Sequence, residues 1–151
     1  MVNYKIGLVL GDLSEWKALC DFLTACAEFS VMWIWENESS LEDHRKKPDV
    51  ILLEKQKGED PTAIIGTVKE NFKDSELILL VDQCESNIIF NSIYAGVSSI
   101  ILKNASLSTV KQSILTSATG GSYLSPAIAK VIVEYFNGMR TGKISDFLPT
   151  P

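Results

Sequence analysis

Four charged side chains of this sequence follow short apolar runs, and together they suit the binding of a divalent cation and a phosphoryl group. They are Asp12 after the run at 5–10, Glu54 after 49–53, Asp82 after 76–81 and Lys103 after 98–102. Runs of this length are typical of strands buried on both faces of a parallel sheet. The carboxyl ends of such strands meet at one edge, where α/β proteins bind ligands. Carboxylate oxygens suit Mg²⁺, and a lysine suits a phosphate.

Amphipathic segments alternate with these runs and predict the helices between the strands. A further strand is predicted at 29–35, which is rich in aromatic and β-branched residues. Helices are predicted at 15–27, 41–47, 61–72, 85–95, 106–118 and 125–137. We expect Ser14 to cap the first of these helices and Gly96 to end the fourth. The residues from Asn137 onward are polar enough to predict a disordered or linker-like tail.

Composition limits the class of protein. A length of 151 residues predicts one domain of ordinary size. The net charge of -5 disfavours a broad basic surface for nucleic acid or anionic lipid. The N-terminal segment has no apolar stretch of the length that a signal peptide or a membrane span needs, so we expect a cytoplasmic protein without a membrane partner. Three cysteines without a C-x-x-C pair predict neither a structural disulfide nor a zinc site.

Three segments carry a resemblance to a known family. They are PDVILL at 48–53, AGVSSIILKNAS at 95–106 and GGSYLSP at 120–126. Over residues 5–118 the chain resembles a response-regulator receiver domain (CheY-like), in particular the subfamily in which a LuxR- or NarL-type helix-turn-helix follows the receiver. The resemblance implies an α/β, flavodoxin-like (βα)5 fold, a doubly wound parallel sheet of strand order 2-1-3-4-5 with an extra C-terminal linker helix.

The resemblance also implies a domain organisation. It predicts a receiver-like domain at 1–120, a linker helix at 121–138 and a tail at 139–151. Because the family's DNA-binding domain often begins near a Leu-Thr-Pro segment, the final residues LPTP predict a tail that precedes a helix-turn-helix domain missing from this sequence.

The resemblance assigns roles to the residues at the sheet edge. The family's site has an acidic pair after the first strand, a phosphoacceptor aspartate after the third, a Thr or Ser after the fourth and a lysine after the fifth. Here Gly11 replaces one member of the acidic pair and Asp12 keeps the other. Glu54 stands at the acceptor position, Val81 at the Thr/Ser position, and Lys103 is retained. Asp12 and Glu54 are thus the metal ligands that remain, and they predict weak Mg²⁺ binding or none.

Each replacement weakens the chemistry of an aspartyl phosphate. Glutamate extends its carboxylate by about 1.5 Å, and a misplacement of about 1 Å can cost roughly 10²-fold in rate. Gly11 contributes no oxygen to a cation, and Val81 cannot hydrogen-bond a phosphoryl oxygen. We therefore predict a degenerate receiver that does not run on aspartyl phosphate. Two arrangements of Glu54 stay open: an ion pair with Lys103, or a solvated side chain at the edge of a loop.

The predicted function is that of an atypical pseudo-receiver, not an enzyme, which regulates transcription through a DNA-binding output domain outside this sequence. The resemblance implies a homodimer, with the helix predicted at 106–118 and its neighbours in the dimer surface, and a histidine kinase as partner. One alternative is a conventional phosphorylatable, Mg²⁺-dependent receiver. Another is a small flavodoxin-like enzyme or binding domain, which the lack of a glycine-rich phosphate loop disfavours. His44 is the only histidine, and its polar surroundings predict a solvated surface residue.

Overall fold

Five parallel strands form one sheet in the order β2-β1-β3-β4-β5 in this computed structural model, which describes residues 2–36 and 47–140. The strands are β1 (Tyr4–Val9), β2 (Phe29–Trp35), β3 (Val50–Glu54), β4 (Glu76–Val81) and β5 (Ser99–Leu102). The helices are α1 (Lys17–Ala25), α2 (Thr62–Asn71), α3 (Ser86–Ala95), α4 (Leu107–Ala118) and α5 (Pro126–Arg140). The predicted flavodoxin-like sheet and its strand order are confirmed.

The central strand β3 is buried on both faces, as its apolar run predicts. Ile51 and Leu53 face a cluster that includes side chains of α2, α3 and α5, whereas Val50 and Leu52 face a cluster that includes side chains of α1 and α4. This alternation follows from the two-residue period of a strand. Helices on both faces keep the sheet away from water, so the polar residues of the strands are confined to their ends.

Of the two predicted helix ends, the one at Gly96 is confirmed and the cap at Ser14 is wrong, and α4 has a cap that the sequence analysis did not assign. The Ser106 hydroxyl accepts a hydrogen bond from the N–H of Thr109 at 3.2 Å and so caps α4. Gly96 ends α3 with a φ of 127°, which favours glycine. The predicted cap by Ser14 is wrong, because α1 has no side-chain cap and Ser14 donates both its N–H and its hydroxyl to Asp12 Oδ1. This local turn competes with the cap.

The segment after α4 lies along the outer edge of β5. The N–H of Ile100 donates to the carbonyl of Tyr123, and the N–H of Ser125 donates to the carbonyl of Ile100, both at 3.1 Å. The Ser125 hydroxyl accepts a further bond from the N–H of Leu102 at 3.1 Å. The start of α5 is thus attached directly to β5, and Ile128 enters the core one turn later.

Several predictions concern the C-terminal part and the stretch between β2 and β3. The predicted end of the last helix at Asn137 is wrong, since α5 continues to Arg140 on an apolar face that includes Ile132 and Tyr135. Most of the helix predicted at 41–47, His44 and the tail from 141 lie outside the described residues. The division into a receiver-like domain and a linker stays a prediction. Within 2–36 and 47–140, no helix has the length and apolar character to cross a bilayer.

Two tryptophans of β2 pack on the sheet. The rings of Trp33 and Trp35 stack with centroids 3.8 Å apart, and both lie near Phe72. Gly7 on the neighbouring strand β1 makes room for this stack, because a Cβ at position 7 would overlap the Trp33 ring.

Candidate functional site

The predicted site residues meet at the carboxyl edge of the sheet. There the side chains line an open depression of about 490 Å³, formed by Asp12, Glu15, Trp16, Glu54, Gln56, Lys57, Asp82 and Lys103. Asp12 and Asp82 are exposed, whereas Glu54 is buried at the base. Val81, the remaining predicted position, is buried in the apolar core. The fold therefore brings Asp12, Glu54 and Lys103 to one place, and Val81 adds no polar group to it.

The Glu54 carboxylate is the centre of the site. Its Oε2 lies 2.9 Å from the Nζ of Lys103. Its Oε1 accepts hydrogen bonds from the N–H of Gly11 at 2.8 Å and from the indole Nε1 of Trp16 at 2.9 Å. The Glu54 side chain is only 7% exposed and that of Lys103 is 20% exposed. Of the two arrangements left open by the sequence, the structure has the ion pair, and the solvated carboxylate is wrong.

Opposing effects set the charge of Glu54. Burial raises the pKa of Glu54, but hydrogen bonds from Gly11, Lys103 and Trp16, together with the charge of Lys103, outweigh it. The net result is a pKa below the ordinary value, so Glu54 is an anion at neutral pH. The donors hold that anion in a fixed orientation at the end of β3.

Gln56 fills the space beside Gly11. A Cβ at position 11 would overlap the side-chain amide of Gln56, whose Nε2 also approaches Glu54 Oε1 at 3.4 Å. A carboxylate at position 11, as in the family that the sequence resembles, would compete for this volume. The space beside Gly11 is thus occupied by a neutral amide.

These residues do not fit a Mg²⁺ ion. Both oxygens of Glu54 already accept from N–H groups. Asp12 Oδ1 accepts from the hydroxyl and the N–H of Ser14 at 2.6 and 3.0 Å, and these bonds lower the pKa of Asp12. Mg²⁺ requires several available oxygens in near-octahedral geometry. In the described part of the chain, no group of three or more His, Cys, Asp or Glu residues is placed to hold a metal.

Trp16 and Gln56 are the two site residues that the sequence analysis missed. Trp16 lies at the start of the helix predicted at 15–27, where its ring packs against the core while its indole N–H donates to Glu54. Gln56 carried a usable signal, since a residue two positions after Glu54 lies on the same side of an extended chain. Nothing in the local pattern indicated that Trp16 would turn its nitrogen toward the sheet edge.

No protein-family profile and no curated protein sequence matches this chain. Solved structures do match. The RcsB response regulator of Salmonella typhimurium superposes with a TM-score of 0.77 at 14% identity, over 100% of this chain and 74% of RcsB. A LuxR-family response regulator from Aurantimonas sp. SI85-9A1 gives 0.77 at 16% identity, over 87% and 96% of the two chains.

The signal receiver domain of NarL from Mycobacterium tuberculosis gives a TM-score of 0.68 at 17% identity, over 80% of this chain and 99% of the NarL domain. The likeness extends over most of each receiver. The chain therefore has the fold of response-regulator receiver domains.

Proposed function

We propose that this chain is a pseudo-receiver: a signalling module with the receiver fold that works without an aspartyl phosphate. The observation that carries the proposal is the state of Glu54. Its carboxylate is buried, anionic and bonded to Gly11, Trp16 and Lys103. Phosphorylation needs a free carboxylate oxygen that is aligned for in-line attack on the phosphorus. In this chain each oxygen of Glu54 already accepts a hydrogen bond or pairs with Lys103.

The ion pair between Lys103 and Glu54 lies where the receivers that this chain resembles bind a phosphoryl group. Lys103 is the residue that would bind a phosphoryl oxygen, and in this chain it binds Glu54 Oε2 instead. Because Val81 has no hydroxyl, its side chain at the end of β4 cannot donate a hydrogen bond to a phosphoryl oxygen. The module thus keeps one arrangement of the sheet edge, and its signalling depends on its partners rather than on covalent modification.

The partners follow from the resemblance and from the proteins of similar fold. RcsB is found as dimers bound to DNA. By analogy, we propose that this module self-associates and that it acts on a DNA-binding output domain joined to it. A histidine kinase would use the module as a docking surface and would transfer no phosphoryl group.

Treatment with acetyl phosphate and MgCl₂, followed by intact-mass measurement, tests the proposal. We expect no added phosphoryl mass on the unmodified protein. Beryllofluoride with Mg²⁺ should also leave the tryptophan fluorescence unchanged, since Trp16 contacts the carboxylate in question. Stoichiometric phosphorylation at Glu54, Asp12 or Asp82 would refute the proposal and favour a conventional receiver.

The matched variants are Glu54→Asp and the double variant Gly11→Asp with Glu54→Asp. Both shorten the carboxylate and release it from part of its bonding, and the second also restores an acidic pair with Asp12. A phosphoryl adduct that forms on the double variant alone would show that Gly11 and Glu54 together prevent phosphorylation of the unmodified protein. The single variant checks that a shorter side chain at position 54 does not simply unfold the sheet edge.

A further inference from the structure

Two large apolar residues of α5 lie on the exposed part of the helix. Val133 is 54% exposed and Phe136 57%, whereas Ile128 and Tyr135, which face the core, are buried. Met139 follows Tyr135 by four residues on the core-facing side and is 39% exposed near the end of the helix. In addition to the side that faces the core, α5 therefore has an apolar stripe that is exposed. An exposed apolar stripe of this kind on a helix commonly marks an interaction surface.

The stripe continues onto α3. Ile93 and Tyr94 are 40% and 54% exposed, and Phe90 of α3 contacts Phe136 of α5 with ring centroids 6.2 Å apart. α3 has no charged residue along its ten positions. In a chain of net charge -5, such a face lets two copies meet with little like-charge repulsion.

The helix α4, which the resemblance placed with its neighbours in the dimer surface, exposes much less apolar area than α3 and α5. Among the large hydrophobic residues of the described chain that are exposed, only Leu107 lies on α4, while α3 and α5 together carry Ile93, Tyr94, Val133, Phe136 and Met139. Apolar area is the main favourable contribution to association. The apolar surface thus favours α5 with its neighbour α3 over α4.

The order of residues on α5 fits a second copy of the same helix. Ala129, Val133 and Phe136 recur at steps of four and three, so they share one face. In an antiparallel pair, the large Phe136 of one copy lies opposite the small Ala129 of the other. Lys130 and Glu134 flank this stripe, so the same pairing brings Lys130 of each copy near Glu134 of the other.

We propose that this chain forms a homodimer through α5, in which the two helices pack antiparallel about a two-fold axis. Such an interface is isologous, so each contact occurs twice. The inference rests on the self-association proposed above and specifies the surface that carries it.

The size of the patch predicts a weak dimer. An aromatic side chain buries about 150–250 Å², so the half-exposed Phe136 and Tyr94 with their aliphatic neighbours supply a few hundred Å² per copy. A standard stable interface buries about 800 Å² per partner. We therefore expect a dissociation constant in the micromolar range or weaker, about 1 μM at the tightest, so association depends on protein concentration.

Sedimentation velocity of the full chain over a concentration series measures this dimer. Phe136→Asp should weaken it by roughly tenfold or more, as truncation of a central aromatic anchor does. The matched control is Leu107→Asp, an apolar-to-acidic change on α4, which should leave the dissociation constant unchanged. A dimer that Leu107→Asp disrupts and Phe136→Asp does not would refute the α5 surface while leaving self-association intact.

Reversing the charges at Lys130 and Glu134 tests whether a second copy of this chain, rather than another protein, binds to α5. Both side chains are exposed, so the changes leave the core intact. Lys130→Glu and Glu134→Lys should each weaken the dimer roughly two- to fivefold, because each change places like charges opposite one another twice. The double variant should restore the original affinity. Additive weakening in the double variant would refute the antiparallel arrangement, and a monomer at millimolar concentration would refute both the surface and the self-association.

Discussion

Replacing Lys103 with methionine tests whether the ion pair at the sheet edge stabilises the fold. The substitution removes the ammonium group from Glu54 Oε2, 2.9 Å away, and keeps most of the length of the side chain. Breaking a buried pair on one side costs about 3–5 kcal/mol when the remaining charge is left uncompensated. Gly11 and Trp16 still donate to Glu54, so we expect a smaller loss of about 2–3 kcal/mol at neutral pH.

The loss should depend on pH in a defined direction. In the unmodified protein the pKa of Glu54 is below its ordinary value of 4.5. Its ionised form therefore contributes stability above the unfolded pKa, and this contribution is lost as the pH falls through the folded pKa. In Lys103→Met the pKa of Glu54 rises, because burial remains and the lysine is gone. The difference between the two proteins should shrink on acidification, since a protonated Glu54 no longer needs a cation.

Urea unfolding, followed by tryptophan fluorescence at neutral and at acidic pH, measures the effect. A double-mutant cycle with Glu54→Gln is the control, because the neutral amide removes the charge and keeps the shape. Lys103→Met should cost less than about 1 kcal/mol in that background. A cost that is as large in the Glu54→Gln background as in the unmodified protein, or below about 0.5 kcal/mol in the unmodified protein, would refute the role given to the pair.

Three further predictions concern other positions. Gly11→Asp should displace Gln56, destabilise the protein through repulsion with Glu54, and make the melting temperature rise with MgCl₂, measured by thermal unfolding with and without the salt. Gly7→Ala should cost about 1–3 kcal/mol, because its methyl group overlaps the ring of Trp33, and should change the near-UV circular dichroism of the tryptophan stack. Ser106→Ala should cost about 1 kcal/mol in urea unfolding, through loss of the α4 cap.

Each of these has an outcome that contradicts it. A melting temperature of Gly11→Asp that ignores MgCl₂ would mean that an acid at position 11 does not create a cation site. An unchanged near-UV spectrum of Gly7→Ala would mean that Trp33 is not held against β1. Equal stabilities of Ser106→Ala and a Ser122→Ala control would mean that the cap adds nothing.

The strands were predictable because burial on both faces produces short apolar runs in the sequence. The run before Glu54 coincides with β3 to within one residue, and the strand at 29–35 is matched at both ends. Strand order could not be predicted in this way, because the pattern of one strand contains no information about its neighbours in the sheet. The order came from the family resemblance, and the structure confirms it.

The members of the site were predictable, but their bonding was not. The rule that parallel strands present their carboxyl ends at one edge located Asp12, Glu54 and Lys103 together. Which hydrogen-bond donor a carboxylate finds depends on rotamers and on packing between elements distant in sequence, and so the contact of Trp16 with Glu54 was not foreseen. The misassigned cap at Ser14 has a local cause, since an acceptor two residues earlier captured the same hydroxyl.

The backbone bonds between β5 and the segment around Tyr123 bear on where this chain can be shortened. An unpaired outer strand offers its N–H and C=O groups to other molecules and promotes aggregation. Here that edge is occupied by the stretch at 122–125, and Ile128 fills the core beside it. A protein that ends at 120, the predicted boundary of the receiver-like domain, would lack these residues. The outer edge of β5 and the part of the core that Ile128 covers would then be exposed. We therefore expect a protein that ends at 120 to aggregate more readily than one that extends through α5.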